Sequence, residues 1–248
     1  MITISAPFHS RCQNPGPKIY SIPDFHSRSL LSIIHDNIFN QNHHSQFYYE
    51  PYELHWQPLH RTTSVWVYGE LFMSQCFLEA HEQLQASPRE PGCDLPRHIV
   101  GLMFWSDSTQ LTSFGDAKLW PLYMYFGNKS KYTRGQPSSG LCMHVAYFQV
   151  IGTIVSLPEN GTDCKCLTQL LDEFKDFATR HAGNKVPGEL LFTHCHRELF
   201  HAQWEELLDD DFISTYEHGM VITCCDGMTR RLYPCIFTYS ADYPEKYA

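Results

Sequence analysis

The sequence predicts an α/β fold: a mixed sheet that opens with a three-strand antiparallel meander, continues through helices to further strands, and is preceded by an irregular N-terminal arm. Three observations carry this reading. Apolar runs at His98–Trp105, Leu119–Phe126 and Leu141–Gln149 have strand length and are joined by turn-rich links. Leu167–Arg180 and Gly188–Leu208 then place apolar residues at helical spacing. Finally, Met220–Cys225 and Arg231–Thr238 flank Asp226-Gly227, a strong short hairpin signal. With 248 residues, 43% of them apolar and 14% aromatic, the chain has the material for a sizeable core.

Taken in order, residues 1–64 hold Pro15, Pro17, Pro23, Pro51 and Pro58 among many His, Asn and Gln, and are assigned to the irregular arm. The core is expected over 65–248. Val65–Tyr68 reads as a short strand by its β-branched and aromatic content, with Gly69-Glu70 as the turn out of it. Ser74–Gln85 reads as an amphipathic helix with Ser74 as N-cap, and Pro88–Pro96 as a loop. The near-continuous apolar run His98–Trp105 is what a strand covered on both faces requires. Pro121 assigns Leu119–Phe126 to an edge or to a strand start. Gly183 stands where the first long helix stops. Leu191, Cys195, Leu199, Ala202 and Leu207 are the inward positions expected of the second, which Asp209-Asp210-Asp211 ends.

Charge and cysteine content narrow the function classes. With 27 acids against 18 bases, a net −9, the whole molecule does not present the concentrated positive field that grips nucleic acid. A local patch remains open: Lys118, Lys129, Lys131 and Arg134 are candidate contacts to a DNA backbone, or simply charges on a solvated loop. Ten cysteines without a signal-peptide pattern read as reduced thiols. No apolar stretch approaches the roughly 18–20 residues of a membrane span, so an intracellular, soluble protein is expected. Cys164 and Cys166 with Cys224 and Cys225 lack the two-to-four-residue gaps of structural zinc ligands. His194, His196 and His201 share a helix without a His-Glu-x-x-His arrangement. No Gly-x-Ser-x-Gly and no glycine-rich phosphate loop occurs.

Two acids stand out by position. Asp107 ends the run His98–Trp105, and Asp242 follows the run Leu232–Tyr239. The order of elements is that of an RNase H-like domain, in which the first strand carries one acid and the fourth strand, lying beside it, leads to a second. Paired carboxylates suit hard Mg²⁺ or Mn²⁺ and metal-assisted phosphodiester cleavage. The competing reading is that each Asp is a turn residue or a helix cap.

The runs Leu102–Leu111 (LMFWSDSTQL), Ala117–Tyr123 (AKLWPLY), Phe126–Tyr132 (FGNKSKY) and Tyr239–Lys246 (YSADYPEK) resemble the Plavaka-type transposases of fungal DNA transposons, in the Kyakuja, Dileera and Zisupton group. The resemblance runs from about Val65 to the C-terminus with the motifs in order. It implies an RNase H-like nuclease core, incomplete at its C-terminus, that cuts and joins DNA with a divalent metal. It further implies transposon ends as partner, a homo-oligomer and a nuclear location. Asp107 and Asp242 are then the first and second catalytic acids. Members of the family continue past the Asp-Tyr-Pro-Glu motif to a cysteine-bearing stretch and a third acid, so the chain is expected to be a transposase fragment. The alternative is a catalytically inactive transposon-derived remnant that binds DNA or protein. Val150–Thr168 has the character of an insertion relative to the family.

Overall fold

The computed structural model of the chain describes residues 1–9, 15–107, 109–110, 118–150, 168–185 and 187–241. Strands β1 (Ile2–Phe8) and β2 (Gly16–Ile22) come first, then helices α1 (Leu30–Phe39) and α2 (Gln41–His44) and the short strands β3 (His55–Trp56) and β4 (Val65–Trp66). Helix α3 (Gln75–Ala86) leads to β5 (Arg97–Ser106), β6 (Thr109–Gln110), β7 (Lys118–Leu119), β8 (Pro121–Phe126), α4 (Lys131–Arg134) and β9 (Met143–Tyr147). Helices α5 (Thr168–His181), α6 (Glu189–Leu207) and α7 (Asp210–His218) precede the hairpin of β10 (Met220–Thr223) and β11 (Thr229–Ser240).

The expected meander is present. Strands β5, β8 and β9 pair antiparallel in succession, within a five-stranded mixed sheet ordered β10-β11-β5-β8-β9. On its other side β5 pairs parallel with β11, from Arg97 opposite Arg231 to Trp105 opposite Ser240. Pro121 opens β8, an interior strand, so it marks a strand start and not an edge. Pro234 lies past Leu232, the last β11 residue paired with β10. Arg231 N–H points toward β5, bonding to Pro96 C=O. Residues of the opposite parity, Pro234 included, face the outer edge, where a missing N–H costs no ladder bond.

Burial divides along β5 by its period of two. Val100, Leu102 and Phe104 point into a core shared with Ile33, Ile34 and Ile38 of α1, Phe200 and Leu207 of α6, and Phe212 of α7. Ile99 points the other way, against Phe72 and Phe77, with Cys235 and Phe237 of β11 alongside. The near-continuous apolar character read from the sequence is therefore two-sided cover. Ser74 Oγ accepts from Phe77 N–H at 3.3 Å and caps α3 as expected. Gly183 has φ +77° beyond the end of α5, a backbone state that favours glycine.

Two expectations are corrected. Among the described residues, the segment 1–64 is not an irregular arm throughout: its first 44 positions carry two strands and two helices. Ile2, Ile4, Ala6 and Phe8 alternate inward in a β1–β2 hairpin that packs on Phe174 and Ala178 of α5 and on Phe192, Cys195 and Leu199 of α6. Helix α1 follows, capped by Ser29, with Leu30, Ile34 and Ile38 on its buried stripe. High Pro, His and Asn content hid two short segments whose local periodicity is sound. Similarly, Asp209 does more than end α6: its Oδ1 accepts from Phe212 N–H at 2.7 Å and starts a further helix, α7.

A side chain completes the sheet where β8 stops. Pairing of β8 with β5 ends at Leu102 opposite Phe126. Beyond it, Gly127 N–H donates to Gly101 C=O at 2.7 Å. The fully buried Asn128 then accepts from Gly101 N–H at 2.7 Å and donates to Ile99 C=O at 2.9 Å. Its amide also donates to Tyr48 C=O at 2.9 Å, while Tyr48 N–H donates to Asn128 C=O. Gly101 must lack a side chain, because a Cβ there would stand 2.9 Å from Phe77 Cε2. Asn128→Ala strands buried main-chain groups on two segments, and its expected cost is about 2–4 kcal/mol of unfolding free energy. Urea denaturation would read this as a lower midpoint at unchanged slope.

Candidate functional site

Asp107 follows the last residue of β5 and is partly exposed. Beneath it Ser106 Oγ lies 2.8 Å from Tyr239 Oη, a hydrogen bond that joins the ends of β5 and β11. Ser240 stands opposite Trp105, so the two strands run side by side to within two residues of each acid position. Asp242 itself lies outside the described residues. Aromatic rings line this end of the sheet. Trp105 stacks on its cross-strand neighbour Tyr123 with centroids 5.5 Å apart, Tyr123 meets His144 edge-on, and His144 lies against Tyr147. Trp105, Tyr147 and Tyr239 remain exposed. The ribbon β6–β7, with Gln110 opposite Lys118, brings the Lys118 main chain back beside the strand end that carries Asp107.

The four expected cations do not form one patch. Lys118 belongs to the Asp107 end, whereas Lys129, Lys131 and Arg134 follow the far end of β8. Lys131 is exposed. Arg134 turns inward, donating to Phe126 C=O and Lys129 C=O and pairing with the buried Glu70 carboxylate at 3.6 Å. Lys129 is fully buried: its Nζ has no hydrogen-bond partner among the described residues and lies 5.8 Å from the centroid of the Phe126 ring. Burial pulls its pKa down to about 7, because the charged form has lost its water. Residue type and spacing suggested a basic loop, but tertiary packing withdraws Lys129 from any DNA backbone.

A second polar cluster lies at the opposite end of β5. Glu50 Oε1 is 3.2 Å from His98 Nδ1, and Glu50 Oε2 is 3.6 Å from His81 Nε2. All three ligand atoms fall within 4.8 Å of one another, a grouping able to hold a metal ion. Next to it Arg230 grips Asp226 through two bonds of 2.9 and 2.6 Å and lies over the Tyr49 ring. That pairing holds the Asp226 carboxyl well below the usual carboxylate range. The sequence offered no local signal for this cluster, since its members sit on three separate segments. His196, one of the three crowded helix histidines, stacks on Trp120 in the protein interior, and burial lowers its pKa. Cys76, Cys93, Cys142, Cys195, Cys224, Cys225 and Cys235 are free thiols. Cys164 and Cys166 lie outside the described residues.

These features describe an α/β chain whose central strand ends on a carboxylate beside a parallel neighbour. Residues 8–174 and 177–248 match the Plavaka transposase family, and the chain belongs to that family. No curated protein and no solved structure matches it. No helix among the described residues is long and apolar enough to cross a membrane.

The buried Lys129 generates a pH-dependent stability. Its ordinary pKa of 10.5 falls to about 7 on folding. Between those values the unfolded chain binds more protons, so the native state gains stability as pH rises through that window. Lys129→Met removes the penalty. The variant is expected to be more stable than the parent at pH 7, with the difference shrinking as pH approaches 10 in parallel denaturant titrations.

Proposed function

We propose that this chain is the core of a DNA transposase, RNase H-like in arrangement, with Asp107 and Asp242 as the metal-binding acids of a DNA-cleaving site. The observation that carries the proposal is the parallel pairing of β5 and β11 up to Trp105 and Ser240, each two residues short of one acid. The strand order β9-β8-β5-β11, antiparallel through the meander and parallel between β5 and β11, supports the RNase H-like reading. Membership of the transposase family supports the substrate class.

The chemistry of the donor set fits Mg²⁺ or Mn²⁺, since carboxylate oxygens are hard ligands. A divalent ion bound there supplies Lewis-acid stabilisation of charge developing on a phosphate oxygen. The chain's own residues provide the frame. The Ser106–Tyr239 hydrogen bond fixes the strand ends against each other, and the exposed Trp105, stacked on the half-buried Tyr123, offers a flat apolar surface beside Asp107 for a sugar or base. Lys118, on the ribbon that follows Asp107, and Lys131, at the far end of β8, are the proposed contacts to the DNA backbone. A homo-oligomer that joins transposon ends in the nucleus is part of the same proposal.

The alternative is an inactive transposon-derived remnant that binds DNA or protein, and one experiment separates the two. Mg²⁺ and Mn²⁺ binding is measured by calorimetry for the chelator-stripped parent, Asp107→Asn and Asp242→Asn, with nicking of supercoiled DNA followed in parallel. The transposase reading expects one acidic site whose binding is lost in both variants. A folded parent that neither binds nor nicks leaves the remnant reading.

A further inference from the structure

The Glu50–His81–His98 cluster lies about 30 Å from Asp107, nine residues along an extended strand at roughly 3.3 Å each, and the DNA-cleaving reading makes no use of it. We propose that these three side chains form a separate zinc-class metal site that ties the segment carrying Glu50 and helix α3 to the first residues of β5. The ligand chemistry differs from that of the acids: two imidazoles and one carboxylate select Zn²⁺, Co²⁺ or a neighbouring transition ion over Mg²⁺.

The geometry is close to what such an ion needs. Metal–ligand bonds of about 2.0–2.1 Å in a tetrahedron put neighbouring ligand atoms about 3.3–3.4 Å apart. The two Glu50 oxygens stand 3.2 Å from His98 Nδ1 and 3.6 Å from His81 Nε2, and one ligand atom from each residue falls within 4.8 Å of the others. His98 is 94% buried by its 6% exposure, and its Nδ1 has no hydrogen-bond partner among the described residues although it faces the Glu50 carboxylate. A hydrogen bond with the Tyr49 main chain and an edge-on contact with the Tyr49 ring, 5.3 Å between centroids, hold the imidazole in place.

An ordinary ion pair accounts for this arrangement poorly. Glu50 Oε1 stands 3.2 Å from His98 Nδ1 yet makes no hydrogen bond with it, and a cation held by both atoms answers that unused pair. Arg230, the nearby positive charge, is already matched by Asp226. Gln85 Nε2 lies 3.2 Å from His81 Nε2 and donates to Arg97 C=O at 2.8 Å, and a metal ion on His81 displaces the first contact while the second can stay. The Glu50 side chain is 69% exposed, which leaves an entry path and a solvent-facing fourth position.

The test uses the full chain, stripped by chelator and titrated with Zn²⁺ and with Co²⁺. One equivalent is expected to bind, with cobalt d–d bands and no sulfur-to-cobalt charge-transfer band, and zinc is expected to raise the unfolding midpoint. Glu50→Gln and His81→Gln alter exposed or half-buried side chains and spare the buried His98. Each is expected to weaken zinc binding at least about tenfold, to abolish the zinc-dependent rise, and to leave the far-ultraviolet circular dichroism of the metal-free protein unchanged. Asp107→Asn is expected to bind zinc like the parent, which keeps this site distinct from the acidic one. Parent-like zinc affinity in both Glu50→Gln and His81→Gln, a charge-transfer band that reports cysteine ligation, or no binding by the folded parent overturns the proposal.

Discussion

A strand buried on both faces must have its main-chain hydrogen bonds answered along both edges, because no water reaches them. Strand β5 is in that position, and much of the molecule follows from how its two edges are satisfied. One edge is covered by β11 along its length. The other is covered by β8 only as far as Leu102, and Asn128 continues the ladder to Ile99 with a side-chain amide. Because the same amide reaches Tyr48, the repair of an unfinished strand edge also fixes the course of the N-terminal segment. Glu50, two residues on, comes to lie against His98 as a result.

The two ends of β5 thereby acquire different characters. At the Asp107 end the strands finish among exposed rings, with a hydroxyl pair bridging β5 and β11. At the Arg97 end the environment is enclosed and charge-matched. Arg97 is buried and spends its guanidinium on the carbonyls of Gln85, Ser87 and Pro88, and Arg230 is held by Asp226. Lys129 lacks such a partner, and the interior responds by favouring its neutral form. Charged residues in this chain are therefore poor guides to its surface, and the net charge of −9 says little about local fields.

Legibility in the sequence followed the range of the interaction. The meander, α3 with its Ser74 cap, α5 with Gly183 beyond it and the Asp226-Gly227 hairpin depend on neighbours within a few residues, and these were readable. Helix α1 and the β1–β2 hairpin were equally local, with Leu30, Ile34 and Ile38 four apart and Ile2, Ile4, Ala6 and Phe8 two apart. They were missed because composition was averaged over a window longer than either element. Helix α7 was missed because Asp209 was read as a stop signal although Asp is an equally good start. Long-range facts were beyond reach: neither the burial of Lys129 nor the meeting of Glu50, His81 and His98 leaves a trace in local spacing. The place of Asp107 just past β5 was legible because the apolar run of strand length stops immediately before it.

The partnership of β5 with β11 joins residues about 135 positions apart, from Arg97 with Arg231 to Trp105 with Ser240. Contacts so distant in sequence carry a large loop-closure cost and form late. The meander and the hairpins can assemble from short stretches as they emerge, whereas the strand that leads to the second acid docks only after the intervening helices have been made. The strand ends at Trp105 and Ser240 are thus brought together late. Whatever site these strand ends build is completed only when nearly all of the chain has found its place.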